Sequence, residues 1–142
     1  MVYFIFNIKD EFVNLYKDNE RILFSILKGI YYLDNHEVKY GYNLLNQLIN
    51  KINKSDLDRH LFLKLHGNIP YSKRDNVHIY NNLYKDEVSR LTVKECYIKL
   101  ETEQKNSTFF NLLKKYNNNY FICEFRYQDY FFLDKKMVTM TI

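Results

Sequence analysis

Glycine and proline are scarce in this chain of 142 residues, which contains three glycines, one proline and no tryptophan. Gly29, Gly41 and Gly67 lie far apart, whereas a phosphate-cradling loop needs clustered glycines to present its backbone N–H groups. This spacing excludes nucleotide-binding loops. Pro70, the only proline, lies in NIPYSKRDN, residues 68–76, which the sequence predicts to be a loop.

Cysteine is rare as well, and nothing in the sequence marks secretion. Cys96 and Cys123 each lie in an apolar stretch, ECYIKL and YFICEF, so we expect two buried free thiols. A disulfide between neighbouring strands is the geometric alternative. The chain begins without a signal-peptide pattern, and no apolar run is long enough to span a bilayer. We therefore expect an intracellular, cytoplasmic protein without a membrane segment.

Residues with the chemistry of an active site are few and dispersed. His60 and His66 share a predicted helix but are six positions apart, so they face different sides of it, and no cysteine or carboxylate stands at zinc-ligand spacing. A Cys–His pair could meet only in the fold, but Cys96 and Cys123 lie in apolar surroundings that disfavour the thiolate. The sequence therefore predicts no metal, no cofactor, no catalytic residue and no enzyme activity.

The composition that is present is that of a globular protein with many aromatic side chains. Hydrophobic residues make up 46% and charged residues 27%, and there are 14 tyrosines and 11 phenylalanines. The net charge of +4 permits contact with nucleic acid or with an acidic protein but does not require either. Lysine and arginine are scattered, so no basic tail is implied.

Hydrophobic periodicity predicts an α+β fold in a single domain spanning residues 1–142. VYFIFNI, residues 2–8, is apolar at nearly every position and predicts a strand covered on both faces. Residues 9–29 predict helix with a break near Asp18–Asn19 and a stop at Gly29. Residues 30–42 have mixed periodicity, and we expect them to be irregular.

The rest of the chain changes from helical to strand periodicity. Helices are predicted over 43–52, capped by Asn43, over 55–67, capped by Ser55, and over 106–117, capped by Ser107. Strands are predicted over 77–84, over 91–103 with Cys96, Ile98 and Leu100 on one face, and in a C-terminal hairpin across 126–129. We expect a mostly antiparallel sheet, formed by the N-terminal strand and the C-terminal strands, packed against several helices.

The first predicted helix, KDEFVNLYKD, carries more apolar surface than one core-facing stripe needs. Phe12, Val13, Leu15 and Tyr16 span about 160° of the helical wheel, against about 100° for such a stripe. Phe12 and Tyr16 lie one turn apart and could form an exposed anchor pair for a partner. The alternative is that both rings point into a broad core beneath the sheet.

A nucleic-acid-binding domain is the alternative function. The segment YFICEFRYQDYFF places aromatic residues and Arg126 on predicted strands, and aromatic rings on a sheet can stack on bases. Against nucleic-acid binding, the acidic residues Glu124, Asp129 and Asp134 lie in the same region. The sequence also has no recognition strand rich in glycine and basic residues. We expect these aromatic residues to pack the core instead.

The segments YFIFNIKDEFVNLY, VKECYIKLE and FFNLLKKYNNNYFICEFRYQDYFFLDKK together cover most of the chain. Their order and pattern resemble the SirA family, sporulation inhibitors of replication from endospore-forming bacteria. The last hairpin departs from the family pattern, with Tyr130-Phe131-Phe132 where a Gly-Trp pair is expected.

This resemblance implies a non-enzymatic protein that binds the N-terminal domain of the replication initiator DnaA and blocks new rounds of replication as sporulation begins. It implies Phe12, Tyr16 and Gln47 as contact residues. On a helix that presents these two aromatic side chains, Asn14 and Lys17 are expected in the polar rim of the interface. Val13 and Leu15 then become the expected core residues of this helix. We expect a monomer.

Overall fold

The first strand of the chain lies inside an antiparallel sheet in the computed structural model, which describes residues 1–103 and 106–135. The strands are β1 (Val2–Asn7), β2 (Tyr71–Arg74), β3 (Val77–Asn82), β4 (Glu87–Val93), β5 (Ile98–Thr102), β6 (Tyr120–Glu124) and β7 (Asp129–Phe132). They form one seven-stranded sheet in the order β2-β3-β4-β5-β1-β6-β7, with antiparallel pairing throughout. The predicted α+β fold with the N-terminal strand in the sheet is confirmed.

Helices cover both faces of this sheet. The α-helices of the described residues are α1 (Asp10–Tyr16), α2 (Glu20–Tyr31), α3 (Val38–Leu48), α4 (Lys54–Leu65) and α5 (Thr108–Tyr116). Side chains from α4 and α5 join one buried cluster, and side chains from α1, α2 and α3 join the other. The domain therefore has two hydrophobic cores separated by the sheet.

The strand β1 contributes to both cores, which explains why it is apolar at nearly every position. Tyr3 and Ile5 belong to the cluster under α4 and α5, whereas Phe4 and Phe6 belong to the cluster under α1, α2 and α3. Successive side chains of a strand point to opposite faces, so a strand covered on both sides needs apolar residues at odd and even positions alike. The prediction for this strand is confirmed.

Several predicted boundaries are also confirmed. The first helical region breaks into α1 and α2, and Asn19 precedes the second helix. Ser107 caps α5, because its hydroxyl accepts a hydrogen bond from the Phe109 N–H at 3.2 Å. The C-terminal strands β6 and β7 form the expected hairpin, in which Gln128 adopts a positive φ of 57°.

The segment 30–42, expected to be irregular, contains the start of α3. This helix begins at Val38, so Asn43 is an interior residue and not its cap. Gly41 is buried, and a Cβ at this position would lie 2.7 Å from Leu33 Cδ1, which shows how closely the helix approaches the end of α2. The helix ends at Leu48, earlier than predicted, because the next residues pair with the end of β1.

Four further predictions are wrong in detail. The helix was predicted to end at Gly29, but α2 continues to Tyr31. Part of the predicted loop 68–76 is the edge strand β2. The predicted strand 91–103 is the end of β4 and all of β5, joined by a turn that contains Cys96. Ser55 is not a cap, because the Asn53 side chain accepts the hydrogen bond from the Asp56 N–H.

The split of the predicted strand also changes the placement of Cys96. Ile98 and Leu100 lie in the cluster under α4 and α5, but Cys96 packs against the opposite cluster. Cys96 is half-buried and Cys123 is buried, and both are free thiols. Cys96 lies in the turn between β4 and β5 and not in either strand, so the alternation that places Ile98 and Leu100 on one face does not extend to it.

Candidate partner-binding surface

The helix α1 is a short surface helix in which every residue keeps some exposure to solvent. None of its seven residues is buried. Phe12, Val13 and Tyr16 are half-buried and rest against the second cluster, whereas Leu15 is 58% exposed. Isolated helices shorter than about 12 residues are marginal in water, so the position of α1 depends on contacts with the rest of the domain.

Phe12 and Tyr16 form a stacked aromatic pair on α1. Their ring centroids lie 6.4 Å apart, and their planes differ by 15°. Residues four apart are neighbours on one face of a helix, and this spacing brings the two rings together. Each side chain contacts the core and keeps part of its surface open to solvent. The pair is thus held in place by the core while it presents aromatic area to the outside.

The expectation that Leu15 belongs to the core is wrong. On the helical wheel Leu15 and Val13 lie at opposite ends of the apolar arc, with Phe12 and Tyr16 between them. Three of these residues pack against the second cluster, and Leu15 faces solvent. The wide apolar arc of this helix therefore serves two purposes: one part packs on the core, and the Leu15 end is exposed.

The other predicted contact residues, Asn14, Lys17 and Gln47, are all exposed. Asn14 lies on α1 and Lys17 is its C-cap, while Gln47 lies in the last turn of α3. The carbonyl of Leu48, the last residue of α3, accepts a hydrogen bond from the Lys9 N–H at 3.0 Å. The fold therefore brings Gln47 close to the beginning of α1, although the two segments are distant in sequence.

Hydrogen bonds from the β6 side of the sheet fix the first turn of α1. The Ile8 N–H donates to the Asn119 carbonyl at 3.0 Å, and the Asn119 side-chain amide donates to Asp10 Oδ1. Together with the bond from Lys9 to α3, these contacts set the direction in which the chain leaves β1. The N-terminal end of the helix is therefore held by groups from two distant segments.

A lysine from the end of the described chain contacts the other end of α1. The Lys135 ammonium donates to the Lys17 carbonyl and lies 3.4 Å from Glu20 Oε1 on α2. The same ammonium lies 6.0 Å from the ring centroid of Phe132. Lys135 thus connects the corner between α1 and α2 to the end of the C-terminal hairpin.

Charged residues of both signs surround this exposed helix. The exposed ones on α1 and at the corner before and within α2 are Asp10, Glu11, Lys17, Asp18 and Arg21. Protein interfaces commonly combine a central apolar or aromatic group with a polar rim that stays accessible to water. The composition of α1 and its surroundings has this arrangement.

The buried ionisable groups form structural networks away from α1. His78 on β3 is fully buried, with Nε2 2.7 Å from Asp58 Oδ1 and Nδ1 2.8 Å from the Tyr71 hydroxyl. Burial lowers the pKa of His78, although Asp58 opposes this shift. Burial raises the pKa of both cysteine thiols, Cys96 and Cys123. These shifts disfavour an imidazolium at His78 and a thiolate at either cysteine. Both ring nitrogens of His78 already have hydrogen-bond partners, Asp58 on α4 and Tyr71 on β2.

The hairpin aromatics considered for nucleic-acid binding pack mainly into the cores. Phe121, Phe125 and Phe132 are buried and Tyr130 is half-buried, all in the cluster under α1, α2 and α3. Tyr127, in the turn, is 65% exposed, with the Arg126 guanidinium 5.3 Å from its ring centroid. The expectation that these aromatic residues pack the core is confirmed for all of them except Tyr127.

The sequence did not indicate three residues of this surface. They are Leu15, which is exposed, and Asn119 and Lys135, which hold the two ends of α1. Lys135 is separated from Lys17 by 118 positions, and no periodic pattern relates them. The exposure of Leu15 could have been anticipated only by knowing which side of α1 contacts the sheet. These residues become visible as a group once the tertiary structure places them together.

Two comparisons with known proteins bear on this surface. The family model described as sporulation inhibitor of replication protein SirA matches residues 1–136. No curated protein matches the chain. Within the described residues no helix is long and apolar enough to cross a membrane, and no group of three or more metal-binding side chains is found. Since the family match includes both cores and the α1 surface, the chain belongs to the SirA family of sporulation inhibitors of replication.

Proposed function

We propose that this protein inhibits initiation of DNA replication at the onset of sporulation by binding the N-terminal domain of the initiator DnaA through α1. Family membership supplies the regulatory role. The observation that supports the binding site is the stacked Phe12–Tyr16 pair, which remains partly exposed on a helix without a buried residue. The proposal places the protein in the cytoplasm, as a monomer with a protein partner.

The recognition mechanism follows from how α1 is built. Phe12 and Tyr16 supply rigid aromatic area, and rings already held by the core lose little conformational entropy when a partner covers them. Leu15 extends the apolar area, while Asn14 and Gln47 offer side-chain amides at its edge. Occlusion is sufficient for inhibition, because a bound initiator domain cannot use the covered surface for its own activating contacts.

The decisive experiment compares two leucines with the same exposure. Leu15 on α1 is 58% exposed and Leu63 on α4, which packs on the other face of the sheet, is 56% exposed. We expect Leu15→Ala to weaken binding of the purified DnaA N-terminal domain by about 5- to 30-fold, as for an apolar interface residue. Leu63→Ala should leave the affinity unchanged. Isothermal titration calorimetry measures both.

The aromatic pair gives a larger effect with a small structural cost. We expect Tyr16→Ala to weaken binding by about 30-fold or more, as for an interface hot spot. Because Tyr16 also packs on the second cluster, its loss should cost about 1 kcal/mol of folding free energy. An affinity for DnaA that is equal in wild type, Leu15→Ala and Tyr16→Ala would refute α1 as the site. Absence of wild-type binding would refute the partner.

A further inference from the structure

The two ends of α1 are held in different ways. At the N-terminal end, three long-range hydrogen bonds join Ile8, Lys9 and Asp10 to Asn119 and the end of α3. At the C-terminal end, the Lys17 N–H donates to the Val13 carbonyl and the Asn19 N–H donates to the Tyr16 carbonyl, and both are local turn contacts. In the part of the chain that the structure describes, the long-range hydrogen bond at this end comes from Lys135.

The Lys135 ammonium lies at the C-terminal end of α1, where a positive charge is electrostatically favourable. The last turn of α1 contains no basic residue, and the carbonyls at a helix C-terminus carry partial negative charge. Lys135 donates to the carbonyl of Lys17, the C-cap of α1, and pairs with Glu20 in the first turn of α2. One side chain therefore bridges the end of one helix and the beginning of the next.

The bridge joins a partly buried carboxylate to a lysine whose side chain is 52% exposed, so water screens it less than an ion pair in which both groups are fully exposed. The Glu20 side chain is 25% exposed, and the Lys135 ammonium also lies 6.0 Å from the Phe132 ring centroid. Phe132 itself is buried in the second cluster, so the hairpin end from which Lys135 projects is anchored in the same core on which Phe12 and Tyr16 rest. Lys135 and the Phe12–Tyr16 pair are thus both positioned by the second cluster.

We propose that Lys135 is a positioning residue for the partner-binding face of α1: it holds the C-terminal end of the helix so that Tyr16 and Leu15 stay in their binding orientation. The role of Lys135 in binding rests on the proposed function, but its effect on α1 can be tested independently of that function. The order of α1 can be measured in the free protein, without any partner.

The test is amide hydrogen exchange in the free protein, compared among three variants. Lys135→Met keeps the aliphatic stem beside Phe132 and removes the ammonium, and Lys135→Arg restores a cation. Lys28→Met is the matched control, because Lys28 also connects α2 to the hairpin, through Gln128 Oε1 at 3.2 Å, and this hydrogen bond does not involve α1. The amides of residues 14–19 report on the C-terminal end of α1, and those of β1 report on the fold as a whole.

We expect Lys135→Met to speed exchange over residues 14–19 by about 2- to 5-fold, the effect of one cation at a helix C-terminus. Exchange in β1 should not change, and Lys135→Arg should restore protection. Affinity for the DnaA domain should fall by no more than the same factor, because the competent fraction of the free protein sets that loss.

Equal exchange over residues 14–19 in wild type and Lys135→Met would overturn the positioning role. The same would follow if Lys28→Met sped exchange there to an equal degree, or if β1 lost protection together with α1, since the effect would then be one of general stability. If wild type fails to bind DnaA while Lys135→Met still loosens α1 alone, the positioning of the helix stands and the proposed partner is wrong.

Discussion

Removal of the Asp58 carboxylate should destabilise the domain through the buried His78. Asp58 accepts only, so the proton of the neutral imidazole lies on Nε2, 2.7 Å from Asp58 Oδ1, and Nδ1 accepts from the Tyr71 hydroxyl at 2.8 Å. Asp58 also pairs with Lys54 at 2.5 Å, one turn earlier on α4. The network joins α4 to β2 and β3 at one edge of the sheet.

The size of the effect follows from the burial of His78, which has no exposed surface. In Asp58→Ala the Nε2–H group is left buried without its acceptor, which costs about 1.5–3 kcal/mol for a hydrogen bond to a charged group. For a chain of this length that is a fall in melting temperature of about 5–10 °C. Asp58→Asn keeps an oxygen for the same N–H and should lose clearly less.

The pH dependence of wild-type stability gives a second measurement of the same network. Burial lowers the pKa of His78 below its ordinary value near 6.5, so in acid the unfolded chain takes up the proton first. This contribution to stability is complete above about pH 6.5 and is lost as the pH falls from there towards the folded-state pKa. His78→Leu should remove this contribution.

Urea unfolding followed by circular dichroism, at several pH values between 5 and 7, measures these quantities. A cost below about 0.5 kcal/mol for Asp58→Ala would show that the hydrogen bond to His78 contributes little. Wild-type stability that stays level or rises as the pH falls from 6.5 to 5 would contradict the direction of the His78 pKa shift.

Two further predictions concern local chemistry. In the native protein at pH 8, Ellman's reagent should modify Cys96 slowly and Cys123 only at the rate of global opening, because burial raises the pKa of both thiols and Cys123 is fully buried; equally fast reaction in native and denatured protein would contradict this. Asn53→Ala should lower the free energy of unfolding by about 1 kcal/mol, whereas Ser55→Ala should change it by less than about 0.5 kcal/mol, and the reverse order would make Ser55 the cap.

The sequence predicted those elements whose patterns are set by local geometry or by burial on both sides. The strand β1 was recognisable because a strand between two cores is apolar at nearly every position. The corner at Asp18–Asn19 was recognisable because polar residues interrupt an apolar helical arc and Asn19 favours the position before a helix. Ser107 was recognisable as a cap because capping is a contact within three residues.

The sequence did not predict elements that depend on distant partners. The edge strand β2 carries mostly exposed residues, and it is a strand because β3 pairs with it. The helix α3 begins among exposed residues, and Gly41 permits its close approach to Leu33. The turn at Cys96 divides β4 from β5, although this turn contains the apolar residues Cys96 and Tyr97 beside Lys94 and Glu95.

For the candidate binding surface, the sequence determined that α1 has an apolar arc too wide for one core contact and that Phe12 and Tyr16 lie together on it. Its resemblance to the SirA family added DnaA as the proposed partner. Only the tertiary structure decided that Val13 packs inward and Leu15 faces solvent, and that Gln47 and Lys135 lie at the two ends of the helix. The physical reason is that a helical wheel fixes which side chains share a face, whereas the rotation of the helix is set by the packing of the sheet and helices that cover it.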